Sequence, residues 1–162
     1  MSVLGFAGHA GTVPMGQRRD ALAAASEMVL AIERIGASEP GLVATVGRIN
    51  ALPGAQNVIP GRVTFTIDMR CPSDAALNRA HGSLVPALKE IAKQRGVEVQ
   101  VDTYQVNAAT ALDRLVIEAV SEAIAACGQE PIRLPSGPPH RYTWNGTYRR
   151  ETPSHSSRPG AG

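Results

Sequence analysis

The sequence predicts an α+β fold whose strands and helices follow one another in the order β-α-β-β-α-β. Three observations carry this prediction: a strictly alternating segment at residues 62–70, and two apolar stripes with helical spacing, at 17–35 and between Ser73 and Gly96. Side chains of a strand alternate between two faces, whereas those of a helix return to one face every three or four residues. Together they predict a ferredoxin-like two-layer sandwich over residues 1–107, with an antiparallel sheet and two helices on one face.

The first half of this sandwich contains two strands and one helix. Residues 3–10 form a short apolar run that ends in glycines, which is typical of a strand entering a turn. In residues 17–35 the apolar side chains form one stripe and most charges lie away from it, and Gly36 follows as a C-cap glycine. Residues 42–51 are rich in β-branched side chains and predict the second strand.

The second half repeats the pattern with a strand, a helix and a strand. Apolar and polar side chains alternate without exception in residues 62–70, which indicates a half-buried strand. Pro72-Ser73-Asp74 is a helix-start signal, and Pro86 inside the helix is expected to kink or interrupt it. Residues 97–104 alternate again and complete the sheet.

The sequence after this sandwich predicts two further segments. Residues 111–127 carry a third helical stripe, and 131–134 resemble the start of a strand. Because a helix and a strand start cannot form a domain alone, residues 108–137 are interpreted as the opening of a second domain. Residues 138–162 contain no Leu, Ile, Val or Met, and four arginines stand against one glutamate. This tail is predicted to be disordered or to be translated out of frame.

Charge and cysteine usage exclude several classes of protein. The whole chain has 16 Lys and Arg against 14 Asp and Glu, a net charge of +2, which argues against binding to nucleic acid or a membrane surface by electrostatics. No apolar run is long enough to span a membrane, and no signal peptide follows Met1. Cys71 and Cys127 lack C-x-x-C spacing and are interpreted as free thiols in a reducing compartment. We therefore expect a cytoplasmic protein.

Three side chains are candidates for binding chemistry, and each has a structural alternative. His9, in the glycine-rich segment GFAGHAGTVP, is either an exposed loop histidine or a hydrogen-bond donor to a ligand. Asn57 is either a turn residue or a ligand contact. Arg70 is either a solvated cation, alone or paired with Asp68, or a clamp for a carboxylate. The chain has four histidines, at His9, His81, His140 and His155. None of them has the spacing of metal ligands, so no complete catalytic centre is expected.

Three motifs, taken together, resemble one enzyme family. They are GFAGHAGTVPMGQRRDAL, GRINALPGAQNVIPGRVTFTIDMR, and LPSG followed three residues later by a histidine. They are similar to the allantoate amidohydrolase and N-carbamoyl-L-amino-acid hydrolase branch of the aminoacylase/carboxypeptidase superfamily of metal-dependent amidohydrolases. The resemblance implies that residues 1–107 are a lid and dimerisation domain, and that 108–137 begin the C-terminal part of a catalytic domain.

The resemblance also implies roles for the three candidates. His9 would stabilise the oxyanion of the tetrahedral intermediate in the partner subunit of a homodimer formed through the lid. Asn57 and Arg70 would hold the carboxylate of a small ureido substrate, an N-carbamoyl-L-amino acid or allantoate, whose linear C–N bond is hydrolysed. The parent enzyme would use zinc or manganese. This chain alone is expected to bind no metal and to be inactive.

One departure from the family and one alternative function stay open. The family's metal-ligand motif Ser-Gly-Ala-Gly-His-Asp corresponds here to residues 136–141, in which His140 keeps its spacing but is flanked by two prolines and an arginine. Metal ligation by His140 is therefore doubtful. The alternative function is a non-catalytic regulatory module that binds a small molecule, since this fold hosts many functions. An RNA-binding sandwich is disfavoured because Phe65 is the only aromatic residue of the third strand, which therefore lacks the aromatic pattern of RNA-binding sheets, and because no basic face is present.

Overall fold

The computed structural model of the chain describes residues 1–103 and 112–134. In chain order the elements are β1 (Ser2–Leu4), β2 (Gly8–His9), a 3-10 helix (Met15–Gln17), α1 (Ala21–Gly36), β3 (Val43–Leu52), β4 (Val58–Ile59), β5 (Arg62–Arg70), α2 (Asp74–Arg95), β6 (Glu98–Gln100) and α3 (Arg114–Ala126). The predicted boundary at residue 107 and the predicted tail at 138–162 lie outside the described residues.

Four strands form the main sheet, in the order β3-β5-β1-β6, and every neighbouring pair is antiparallel. The central position of β1 follows from its register, in which Val3 lies opposite Val63 on one side and Val99 on the other. The strand predicted at residues 62–70 is confirmed at both ends as β5. The predicted α+β class and antiparallel sheet are therefore observed.

The core lies between this sheet and the two long helices, which pack against each other and against the same face. Its largest fully buried side chains are Met28, Ile32, Leu88, Val3 and Val63. The face of α1 is rotated slightly from the predicted stripe, because small alanines rather than Leu22 face the sheet. Leu22 is exposed, whereas Ala21, Ala24 and Ala25 are completely buried.

Helix α1 begins later than predicted, at Ala21 rather than near residue 17. Asp20 is the N-cap, and its Oδ1 accepts hydrogen bonds from the N–H groups of Leu22 and Ala23 at 2.9 and 3.1 Å. Gly36 ends the helix without a positive φ. A Cβ at Gly36 would lie 2.9 Å from the Cβ of Ala44, so this glycine allows close packing against β3 rather than acting as the predicted C-cap.

Helix α2 is continuous through Pro86, so the interruption that the sequence allows there is not observed. Pro86 has no N–H group, so the carbonyl of Gly82, four residues before it, lacks its helical hydrogen bond. Both residues are exposed, so water can donate to that carbonyl. Ser73 caps the N-terminus as predicted, and Gly96 ends the helix with φ 62°. The buried residues lie on the opposite face, and include Leu84 and Leu88.

The edge strand β3 contains a bulge at Gly47. Val46 lies opposite Ile67 and Arg48 lies opposite Thr66, so Gly47 is the extra residue. Without it, the side chains of the second half of β3 would exchange faces. The bulge therefore keeps Ala44 and Val46 before Gly47, and Ala51 after it, packed against the core.

Two sequence predictions for the strands are wrong. The strand predicted at residues 3–10 is two strands, β1 and β2, because the chain at Gly5 bends against the segment that precedes α1. Residues 131–134 form no strand, and Ile132 and Leu134 are exposed. A strand needs a neighbouring strand for its hydrogen bonds, and none of the described residues pairs with this segment.

Helix α3 differs from the other two helices because none of its residues is buried. Its apolar stripe is open to solvent in the described residues, and consists of Leu115, Val116, Val120 and Ile124. Asp113 caps its N-terminus through a hydrogen bond from the N–H of Leu115 at 2.8 Å. Across residues 1–103 and 112–134, no helix has the length and apolarity required to cross a membrane.

Candidate functional site

Two of the candidate residues meet on a small two-stranded ribbon formed by β2 and β4, here called the His9 ribbon. In its register, His9 lies opposite Val58 and Gly8 lies opposite Ile59. One residue further, the N–H of Ala10 donates to the carbonyl of Asn57 at 2.8 Å. His9 and Asn57 are therefore neighbours in space, although 47 intervening residues separate them in the sequence.

The His9 ribbon continues β1 and β5 beyond the end of the main sheet, and glycines fix its position. A Cβ at Gly5 would lie 2.0 Å from the carbonyl oxygen of Arg19, so only glycine fits there. The N–H of Phe6 donates to that same carbonyl at 2.8 Å, and the N–H of Ala21 donates to Pro60 at 3.0 Å. These bonds attach both strands of the ribbon to the start of α1.

The imidazole of His9 is exposed, and one of its nitrogens is already engaged. The N–H of Gly11 donates to His9 Nδ1 at 3.1 Å. An imidazole nitrogen that accepts a hydrogen bond carries no proton, so neutral His9 carries its proton on Nε2. His9 therefore presents an N–H donor to the solvent, and a donor of this kind can stabilise a negatively charged oxygen.

The turn of residues 10–13 that follows His9 is held by several hydrogen bonds. The His9 carbonyl accepts from the N–H groups of Thr12 and Val13, both at 3.2 Å. Arg18 adds two bonds from its guanidinium, Nε to the Val13 carbonyl at 3.0 Å and Nη2 to the Ala10 carbonyl at 2.5 Å. Arg18 is not among the candidates selected from the sequence, because the helical pattern places Arg18 and Arg19 on the solvent face of a helix.

Arg70 lies at the opposite end of β5 and forms a surface ion pair. Its Nε donates to Asp68 Oδ1 at 2.9 Å and its Nη2 donates to Oδ2 at 2.6 Å. The hydrogen bond from Arg70 holds the pKa of the Asp68 carboxyl below its ordinary value. The pair with Asp68 that the sequence left open is thus present, on the face of β5 that points away from the helices.

Within one copy of the chain, the structure separates Arg70 from the other two candidates. Leu52 and Arg62 face each other at the end of the sheet that carries the His9 ribbon, whereas Val43 faces Arg70 at the other end. Eight residue steps along β5 correspond to about 26 Å. Asn57 and Arg70 of the same copy therefore do not converge on one small ligand.

No metal centre is formed by residues 1–103 and 112–134, which contain no group of three His, Cys, Asp or Glu side chains placed to hold an ion. His140, the doubtful metal ligand of the sequence, lies outside the described residues. Both cysteines are free, Cys71 partly buried and Cys127 exposed.

Comparison with known proteins identifies the family to which the chain belongs. The family described as the peptidase dimerisation domain matches residues 1–96. The N-carbamoyl-L-amino acid amidohydrolase of Geobacillus stearothermophilus is 34% identical over 139 residues, which cover 86% of this chain and 34% of the relative. Allantoate deiminase 1 of Glycine max is 33% identical over 121 residues, which cover 63% of this chain and 25% of the relative.

A solved structure gives the same result for the fold. An amidase of the hydantoinase/carbamoylase family from Burkholderia multivorans superposes on this chain with a TM-score of 0.83 at 38% identity. The superposed region covers 86% of this chain and 34% of the amidase chain. The chain thus spans about a third or less of the length of these proteins. The matches confirm the resemblance carried by the three sequence motifs. The chain belongs to the peptidase dimerisation domain family, in the branch that contains the N-carbamoyl-L-amino-acid and allantoate amidohydrolases.

Proposed function

We propose that this chain is the substrate-binding and dimerisation part of an amidohydrolase that cleaves the linear C–N bond of an N-carbamoyl-L-amino acid or of allantoate. The observation that carries the proposal is the His9 ribbon, which presents the Nε2–H of His9 beside Asn57. The names of the relatives support both substrate classes, and both are small ureido compounds with a carboxylate.

In this proposal His9 is the oxyanion donor. When water attacks the ureido or amide carbon, negative charge develops on its oxygen, and a fixed N–H donor stabilises that charge. The Gly11 bond to Nδ1 supports this role because it directs the only imidazole proton to the exposed nitrogen. His9 needs no proton transfer to act in this way.

The family implies a divalent metal, zinc or manganese, and the described residues do not fit it. They hold no three-ligand group, so the metal ligands of such an enzyme would be residues other than these. We therefore derive no step through a metal here. The contribution proposed for residues 1–103 is to bind the substrate carboxylate, to orient the substrate and to stabilise the oxyanion.

We infer further that the carboxylate is held by Asn57 of one copy and Arg70 of another. The two residues lie at opposite ends of the sheet in one copy. When two β3 edges pair antiparallel about a twofold axis, the Val43 end of one copy adjoins the Leu52 end of the other. This brings Arg70 of each copy toward the His9 ribbon of its partner.

The edge of the sheet supports such a homodimer. Strand β3 pairs only with β5 among the described strands, so its outer row of hydrogen-bonding groups is available to a second chain. Three large apolar side chains of this strand are exposed: Val43, Ile49 and Leu52. The Arg70 guanidinium of one copy, which donates to Asp68 in the structure, would then exchange Asp68 for the substrate carboxylate, and the Asn57 amide of the other copy would donate to the same carboxylate.

The remaining expectations are proposals of the same kind. The strand order β3-β5-β1-β6 supports a ferredoxin-like arrangement for the lid at 1–107. The exposed apolar stripe of α3 supports a second domain beginning in 108–137, against which that stripe would pack. The free thiols of Cys71 and Cys127 support a reducing, cytoplasmic location.

A segment exchange tests the function directly. Residues 1–103 replace the corresponding segment of the Geobacillus stearothermophilus relative, which supplies the rest of the enzyme, and ammonia release from N-carbamoyl-L-amino acids and from allantoate is measured. We expect turnover of one substrate class. We expect His9→Ala to lower kcat by about two orders of magnitude or more, as loss of an oxyanion donor does, and Arg70→Gln mainly to raise KM.

His81→Ala is the matched control, because His81 is an exposed histidine of α2 outside the ribbon. A folded exchanged enzyme in which His9→Ala and His81→Ala have equal, small effects would overturn the role of His9. Tight binding of a small molecule without any turnover would instead favour the regulatory module.

A further inference from the structure

The guanidinium of Arg18 donates hydrogen bonds to the backbone of the turn that follows His9. Its side chain is partly buried, and no carboxylate among residues 1–103 and 112–134 pairs with it. Its charge is instead directed at two carbonyl oxygens, those of Ala10 and Val13. A guanidinium donates in a fixed planar fork, so it holds two acceptors at a defined separation.

These two carbonyls lie at the two ends of the turn that positions Gly11. The N–H of Gly11 is the group that binds His9 Nδ1. A Cβ at Gly11 would lie 3.2 Å from His9 Cε1, so the backbone of the turn is in close contact with the imidazole ring. Any displacement of this turn therefore displaces the group that selects the histidine tautomer.

We propose that Arg18 is the positioning residue for His9, because its two bonds to the Ala10 and Val13 carbonyls hold the turn whose Gly11 N–H keeps the imidazole proton on Nε2. The consequence for catalysis rests on the function proposed above. The positioning itself is a property of the chain and is measurable without turnover. Arg18 touches neither substrate nor reacting atoms in this account.

The neighbouring Arg19 is a matched control for charge and position. Its guanidinium lies over the ring of Phe6, 5.5 Å from the ring centre, rather than at the turn. Arg19 takes part in the ribbon through its backbone carbonyl, which a side-chain substitution leaves in place. Arg18→Met and Arg19→Met therefore remove the same charge and differ in the contact with the turn.

Nuclear magnetic resonance of the full chain tests the proposal. At about pH 9, where histidine side chains are neutral, the imidazole 15N shifts report which nitrogen is protonated, and His9→Gln assigns the His9 signals. We expect His9 to be protonated on Nε2 in the unaltered chain. In Arg18→Met we expect a mixture of tautomers and exchange of the Gly11 amide about tenfold faster. Arg19→Met should change neither, and Arg18→Lys should be intermediate.

An Arg18→Met chain that is folded and keeps the original tautomer and amide exchange would overturn the proposal. If Arg18→Met does not fold, the milder Arg18→Lys decides the matter by the same two measurements. In the exchanged enzyme, Arg18→Met is expected to lower kcat about tenfold and to leave KM nearly unchanged. A changed tautomer with unchanged kcat would uphold the positioning role and contradict the catalytic role of His9.

Discussion

Glu27 of α1 and Arg95 of α2 form an ion pair that joins the two helices on their exposed side, with Arg95 Nε donating to Glu27 Oε2 at 3.0 Å. A second bond runs from Arg95 Nη2 to Oε1. The hydrogen bonds from Arg95 lower the pKa of the Glu27 carboxyl from its ordinary value. The two residues are 68 positions apart in the sequence, and their pair links α1 to α2.

This pair predicts a pH dependence of stability. Because the folded pKa of Glu27 lies below the unfolded one, its contribution is complete above the ordinary pKa and is lost as the pH falls through the folded value. We expect Arg95→Gln to lower the Tm by a few degrees at pH 7 and to have a much smaller effect at an acidic pH below the folded pKa of Glu27. Arg48→Gln is the control, because no ion pair within the described part of the chain includes Arg48. Equal effects of Arg95→Gln at both pH values would contradict the assignment.

The core predicts a large loss of stability at one leucine of α2. Leu88 is completely buried in the main cluster, so Leu88→Ala removes buried methyl groups and leaves a cavity. We expect the free energy of unfolding to fall by about 2–5 kcal/mol, measured by urea denaturation. Leu115→Ala, at a side chain of α3 that is 75% exposed, should change it by no more than about 0.5 kcal/mol. Similar losses for both variants would show that α3 is packed in solution.

The close approach at Gly5 predicts a specific failure of the His9 ribbon. Gly5→Ala places a methyl group in contact with the Arg19 carbonyl, so the ribbon must move away from the start of α1. We expect a lower Tm and shifted amide signals for His9 and Asn57 in the nuclear magnetic resonance spectrum. Gly82→Ala is the control, because nothing lies within 4 Å of the added Cβ, and alanine in a helix stabilises it by about 0.5–1 kcal/mol. Unchanged His9 signals in Gly5→Ala would contradict the role of this contact.

The exposed edge of β3 predicts self-association of the full chain. We expect a dimer at micromolar concentration by sedimentation equilibrium, and we expect Ile49→Lys to make it monomeric, because a charge on an edge strand opposes pairing. Leu115→Lys tests whether the chains associate through α3 instead, because the apolar stripe of α3 is also exposed. Loss of the dimer in Leu115→Lys alone would place the association on α3, and a strictly monomeric unaltered chain would argue against the lid dimer.

Local pattern was sufficient to predict some elements. Strand β5 has one buried and one exposed face, so its alternation defines both ends. The start of α1 is predicted too early because Gln17, Arg18 and Arg19 suit the polar face of a helix, whereas Asp20 caps the helix and places its first residue at Ala21. The failed strand at 131–134 has suitable residues and no described neighbour, and hydrogen bonding between strands is not encoded locally.

The residues of the candidate site are predictable from the sequence, whereas their arrangement in space is not. His9, Asn57 and Arg70 could be selected from the sequence through motifs, but their spatial relation depends on register. The pairing of β2 with β4 makes His9 and Asn57 neighbours, and the length of β5 places Arg70 at the far end. Arg18 was missed since its function lies in contacts with backbone carbonyls, which carry no side-chain signature.

The distance between Arg70 and the His9 ribbon has a genetic consequence. If each site combines the ribbon of one copy with Arg70 of the other, two defective chains can restore one another. Mixing His9→Ala and Arg70→Gln versions of the exchanged enzyme produces heterodimers in which one of the two sites has both residues intact, about a quarter of all sites after random exchange. If each site were formed within one chain, mixing would restore no activity, because every chain would carry one of the two substitutions.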